Sequence, residues 1–189
     1  MKREVHYFEE PGPKNTEVCL EIMEDAVKEG YHHVIVATTS GETGLAAARR
    51  LQSKGVNLVV VTHSANFKGP NVDEITPEKR REIEELGAKI YTGTILTHSL
   101  ETALASEFSG VYPTTLIAQT LRRFGEGSKV CCEIVMEAVD AGLIPEDEVV
   151  VAVSGTGRGA DTVCLIRSAA SKRFLNLKVN EILAKPILA

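Results

Sequence analysis

Tryptophan is missing from this 189-residue chain, and aromatic residues make up only 5% of it. Few rings are therefore available to stack on the bases of a nucleic-acid strand. An excess of positive charge is missing too: 21 Lys and Arg stand against 26 Asp and Glu, a net charge of −5. Binding to a phosphate backbone rests on neutralising it with cations, so nucleic acid is not an expected partner. No apolar run is long enough to span a bilayer. The opening MKREVHYFEE has no apolar core of the kind a signal peptide carries. A membrane is therefore not an expected partner, and a cytoplasmic location is expected. Cysteine is sparse, with Cys19, Cys131, Cys132 and Cys164 and no CxxC pair. All four fall in stretches read as helical, which points to buried thiols of an intracellular protein. The five histidines are scattered, so no metal site is expected.

What is present is the mix of an ordinary globular protein, 43% hydrophobic and 25% charged. Its length suits one domain with a full core. No internal repeat, low-complexity tract or clear linker divides it. The pattern reads as one α/β domain over 1-189, with an N-terminal extension over 1-15 and a helical insertion over 97-127.

Along the chain, strands and helices alternate. Val5 to Phe8 reads as a short strand, and Pro11-Gly12-Pro13 breaks it. Thr16 opens a helix with apolar positions at Val18, Cys19, Ile22, Met23, Ala26 and Val27, which Gly30 closes. His33 to Thr38 (HVIVAT) is a strand apolar on both faces, as in parallel sheets covered by helices. An Ala-rich helix over Glu42 to Ser53 follows, then a second buried strand over Asn57 to Thr62. Thr76-Pro77-Glu78 starts a helix with a capping hydroxyl, a proline and an acid. Lys89 to Tyr91 reads as the next strand. Helical segments are expected at Thr97 to Phe108, Thr115 to Phe124 and Ser128 to Ala141. Glu148 to Val153 (EVVVAV) is another buried strand. Asp161 to Ser171 reads as a helix, and Leu175 to Val179 as a last strand. Alternation of this kind implies βαβ units in a three-layer, mostly parallel sheet.

Two loops stand out as candidate binding elements, each following a buried strand and read as preceding a helix. One runs Thr38-Thr39-Ser40-Gly41-Glu42-Thr43. The other runs Ser154-Gly155-Thr156-Gly157-Arg158-Gly159-Ala160-Asp161-Thr162. Glycine lets the backbone turn sharply and approach a ligand closely. Free amides and the helix dipole at a helix start favour an anion, hydroxyls add donors, and Arg158 can hold a phosphate bidentately. Any strand-to-helix turn also favours Ser, Thr and Gly, so each loop alone is a generic feature. The second loop fits G-x-G-x-x-A, a dinucleotide fingerprint, but it opens the last unit with too little chain after it. A P-loop and a serine-nucleophile elbow are both absent. His63 and Phe67 follow a strand's carboxyl end, where α/β proteins bind ligands, and Phe67 suits a flat ring. Gly93, Thr94 and Tyr112 are further rim candidates.

At this point two stretches show a resemblance. HVIVATTSGETGLAAARRL resembles the start of the pyruvate kinase C-terminal domain, where a buried strand leads through a Thr/Ser-Gly loop into an Ala-rich helix. AVDAGLIPEDEVVVAVSGTGRGADT resembles that domain's later part. The match leaves out the N-terminal extension and the helical stretch near Thr97 to Gly127. The resemblance implies a sheet of order 3-2-1-4-5 with an antiparallel edge strand. It also implies that Thr38, Thr39, Ser40, Gly41 and Thr43 hold a phosphate, as that loop does for an allosteric sugar bisphosphate in many members. Small stand-alone prokaryotic proteins of this type look like a group associated with flavin mononucleotide (FMN), which implies FMN as cofactor. A homo-oligomer is implied because such domains sit at subunit contacts. The chain has no room for a catalytic barrel, so pyruvate kinase activity is not expected. The expected function is binding of a phosphorylated small molecule, most readily FMN. The alternatives are an FMN-dependent oxidoreductase and a regulatory sugar-phosphate-binding or oligomerising module.

Overall fold

The computed structural model describes residues 4–187. The first three residues of the expected N-terminal extension lie outside them. Seven strands form one sheet: β1 (His6–Phe8), β2 (His33–Ala37), β3 (Asn57–Val61), β4 (Lys89–Tyr91), β5 (Val149–Ser154), β6 (Thr162–Arg167) and β7 (Lys178–Pro186). Their spatial order is β1-β7-β6-β5-β2-β3-β4. Read from β4, the run β4-β3-β2-β5-β6 is the expected 3-2-1-4-5. β2 pairs in parallel with β3 and β5, and β3 with β4. β6 runs antiparallel to β5. Two further strands, β7 and β1, continue the sheet beyond it.

The described residues form six α-helices: α1 (Thr16–Lys28), α2 (Glu42–Leu51), α3 (Pro77–Glu85), α4 (Leu100–Phe108), α5 (Pro113–Leu121) and α6 (Glu126–Asp140), of which α1, α2, α3 and α6 pack on the sheet. Side chains of a strand alternate between faces. Val34, Val36 and Val60 therefore pack with Leu20 and Met23 of α1, Leu45 and Leu51 of α2 and Ile83 of α3. Ile35, Val59 and Val61 face the other way, onto Cys131, Ile134, Val135 and Ala138 of α6. The central strands β2, β3 and β5 are rich in β-branched apolar residues because both their faces are covered.

Two expectations fail at the C-terminal end. Residues 161–171 hold a strand rather than a helix, and Cys164 lies in that strand. The sequence TVCLIR is buried at five of its six positions because it lies between β5 and β7. A short run apolar on both faces has no period that separates strand from helix. Consequently the loop at 155–161 joins two antiparallel strands and does not precede a helix. The expected last strand is longer, Lys178–Pro186, and begins after a 3₁₀ turn at Ser171–Asn176.

Candidate functional site

A cleft of about 920 Å³ opens at the carboxyl ends of β2, β3 and β5. β2 is the strand where the chain order reverses, with β3 on one side and β5 on the other. Loops on the two sides diverge there and leave a crevice, which is why open α/β sheets bind ligands at such points. Thr38, Thr39, Ser40, Glu42 and Thr43 line it from the first loop, and Gly155, Gly157, Arg158 and Gly159 from the second. His63, Phe67 and Lys68 line it from the loop after β3. The volume falls in the range of sites that take a small organic molecule.

The first loop ends in an uncapped helix start. Gly41 is the N-cap of α2, at φ 89 and ψ −10, and no side chain caps the helix. A left-handed N-cap excludes most side chains. A Cβ at Gly41 would also stand 2.6 Å from Cδ of Lys79. The first amides of any helix have no intrahelical acceptor, so those of Glu42 and Thr43 remain available beside the cleft.

The second loop is built around a carboxylate. Asp161 is fully buried. Its Oδ2 accepts from the backbone N–H of Gly12 and of Thr156, each at 3.0 Å, and its Oδ1 accepts from the Thr162 hydroxyl at 2.8 Å. The Ser154 hydroxyl donates to the Gly127 carbonyl at 2.7 Å, and the Ala160 N–H donates to Thr16 Oγ1 at 2.9 Å. Ser154, Ala160, Asp161 and Thr162 are thus part of the scaffold and do not line the cleft, nor do Gly41 and Thr156. Gly93, Thr94 and Tyr112 lie away from it as well. Thr156 Oγ1 is buried without a hydrogen-bond partner among the described residues.

Most carboxylates of the cleft have a cation beside them. Glu42 pairs with Lys79, Glu126 with Arg122 at 2.5 Å, and Glu133 with Lys129, while Glu74 shares a hydrogen bond of 2.8 Å with His63 Nδ1. Asp73 lies 3.8 Å from Arg80. Burial, reinforced by the negative charge of Glu133, pushes the Glu137 carboxyl up to about 9, so at neutral pH it is uncharged. Arg158 and Lys68 line the same cleft, are exposed, and have no ion-pair partner among the described residues.

One wall is aromatic. The His63 and Phe67 rings lie 4.3 Å apart, and Phe67 meets the His98 ring edge-on at 6.1 Å. Phe67 is 45% exposed, so its ring is open to the cleft. His98 is held below the usual histidine range by burial and then by Lys129, which favours its neutral form.

Sequence reasoning missed Lys68, His98 and the row Lys129, Glu133 and Glu137 on α6, all of which line the cleft. The available signal was the four-residue spacing of that row on a helix otherwise rich in Cys, Val and Ile.

Among the described residues no helix is long and apolar enough to cross a membrane, and no cluster of three or more His, Cys, Asp or Glu suits a metal ion. The architecture is similar to two solved pyruvate kinase structures from Cryptosporidium parvum. One matches at 15% identity and a TM-score of 0.42, over 85% of this chain and 24% of that one. The other, in complex with ADP, matches at 17% identity and a TM-score of 0.42, over 85% and 25%. An O-ureido-L-serine synthase structure matches at 20% identity and a TM-score of 0.32, over 75% of this chain and 51% of that one. The chain spans about a quarter of the length of the pyruvate kinases it matches. The family model described as the pyruvate kinase alpha/beta domain matches residues 16–166, and the chain belongs to that family.

Proposed function

We propose that the cleft binds a phosphorylated small molecule and that FMN is that molecule. The observation that carries this reading is the meeting of an uncapped helix start with two cations that have no ion-pair partner among the described residues, in a cleft where Glu42, Glu126 and Glu133 are paired and Glu137 is uncharged. A phosphate dianion fits that combination: helix-start amides and an arginine fork both favour it. The residues suited to the phosphate are Ser40, the amides of Glu42 and Thr43, and Arg158, with Lys68 adding charge. Phe67 and His63 suit the flat ring, because an exposed aromatic face gains from being covered. Binding is the proposed role, and no pyruvate kinase turnover is expected.

The test is the visible absorption spectrum of the freshly purified protein, with mass spectrometry of what it releases on denaturation. A flavin spectrum and released FMN support the reading. A colourless protein that added FMN does not stabilise against heat sinks the flavin part, since a ligand that binds only the native state must raise stability.

A further inference from the structure

Three ionisable side chains occupy successive turns of α6 and are nearly inaccessible: Lys129 and Glu137 at 2% exposure and Glu133 at 4%. All three line the cleft. Two of them are accounted for locally. Lys129 pairs with Glu133, whose Oε1 also accepts from the Thr97 N–H and the Thr97 hydroxyl, both at 2.8 Å. Glu133 therefore ties the segment before α4 to α6, and its hydrogen-bonding capacity is largely used.

Glu137 differs. No described cation pairs with it, and the Leu96 backbone amide, which favours the charged form, does not outweigh the burial that opposes it. An ionised carboxylate in that position would be buried with no counter-ion, which is strongly unfavourable. Glu133, Lys129 and Asp140 face it from its own helix, and Tyr91 faces it from β4. Lys129 is already engaged by Glu133, and the other groups are acids, so the surroundings favour the protonated carboxyl. A protonated carboxyl has one O–H to donate.

We propose that the Glu137 carboxyl hydrogen-bonds the end of the ligand that the glycine loops do not hold, and that this end presents an uncharged acceptor such as a ring carbonyl or ring nitrogen. The inference rests on the reading of the cleft as a site for a phosphorylated ligand, and it adds what the other end must be. Glu137 is in this account a specificity-determining residue. A ligand bearing a cation at that end would instead need Glu137 ionised and would bind better as pH rises, the reverse dependence.

The test uses FMN as the probe for the whole cleft and inorganic phosphate as the probe for the loops alone. FMN affinity is measured by fluorescence quenching for the wild type, Glu137→Gln and Glu137→Ala. Stabilisation by phosphate is followed by thermal unfolding. Glutamine keeps a neutral donor at nearly the same shape, so E137Q should bind FMN at pH 7 much as the wild type does. E137A should bind about tenfold more weakly, as expected when a buried hydrogen bond to a ligand is lost. Between pH 7 and pH 10 the wild-type Kd should rise about tenfold relative to that of E137Q, because only the wild type loses its proton near 9. Phosphate should stabilise all three proteins equally. Parallel pH profiles for wild type and E137Q, with E137A binding as tightly as either, overturn the role given to Glu137 while leaving the loops intact. A wild type that phosphate does not stabilise and FMN does not enter overturns the underlying reading, and the role of Glu137 with it.

Discussion

The two glycine loops look alike as sequences and are built on different principles. At residues 38–43 the backbone turns through Gly41 into α2, whose start has no side-chain cap. Its polar groups are left for something else to satisfy. At residues 154–162 the chain turns back on itself, and nearly every polar group is consumed inside the protein. Asp161 takes two backbone N–H groups and a hydroxyl, and the loop rests on Pro13 and Thr16 at the entry to α1. Only Arg158 and the glycine backbone are offered outward. One loop supplies amides and the other supplies a rigid mount for a single guanidinium. Glycine-rich sequence by itself does not separate the two uses.

Substitutions can break this comparison, and the largest effect should come from the mount. Asp161→Ala should lower folding stability by about 4 kcal/mol, read as a shift in the urea midpoint, because it leaves buried donors unpaired around a lost charged acceptor. Gly159→Val should cost about 3 kcal/mol in the same assay. Its φ is +70, and a Cβ there would lie 2.5 Å from Cα of Pro13. The contrast with ligand contacts is then direct. The double substitution Arg158→Ala and Lys68→Ala should leave the urea midpoint unchanged, since both residues are exposed and have no ion-pair partner among the described residues. It should weaken FMN binding by about 2 kcal/mol, near 30-fold in Kd. The smallest expected effect is Ser40→Ala, a loss of about threefold in affinity with no change in stability. A stable D161A protein, or an unstable R158A/K68A one, would erase the distinction between the loops.

Much of the fold was legible. The runs HVIVA, NLVVV and VVVAV are strands because β-branched residues apolar on both faces suit the middle of a covered sheet. Thr76-Pro77 begins α3 as its capping chemistry predicts, with Thr76 Oγ1 accepting from the Lys79 N–H. The family resemblance predicted that β2 and β5 are neighbours, and their pairing brings the two loops to one cleft. The failure at Thr162–Arg167 has a local cause: a short run buried at five of its six positions between two strands carries no helical or strand period. The misreading of Asp161 follows from it, because an acid after a glycine loop is read as facing a ligand when the next element is taken to be a helix. Lys129, Glu133 and Glu137 went unnoticed for another reason. Charges four residues apart on a helix are the ordinary pattern of a solvated face. The packing of the segment before α4 over α6 helps turn that face inward.

The central claim is that a phosphate anchors the ligand against the start of α2 and Arg158. Titrating the wild type and the R158A/K68A variant with FMN and with riboflavin, its counterpart lacking the phosphate, tests that claim most directly. The account predicts that the wild type prefers FMN by about 30-fold or more and that the variant loses most of this preference while binding riboflavin unchanged. Equal affinity of the wild type for FMN and riboflavin would contradict it.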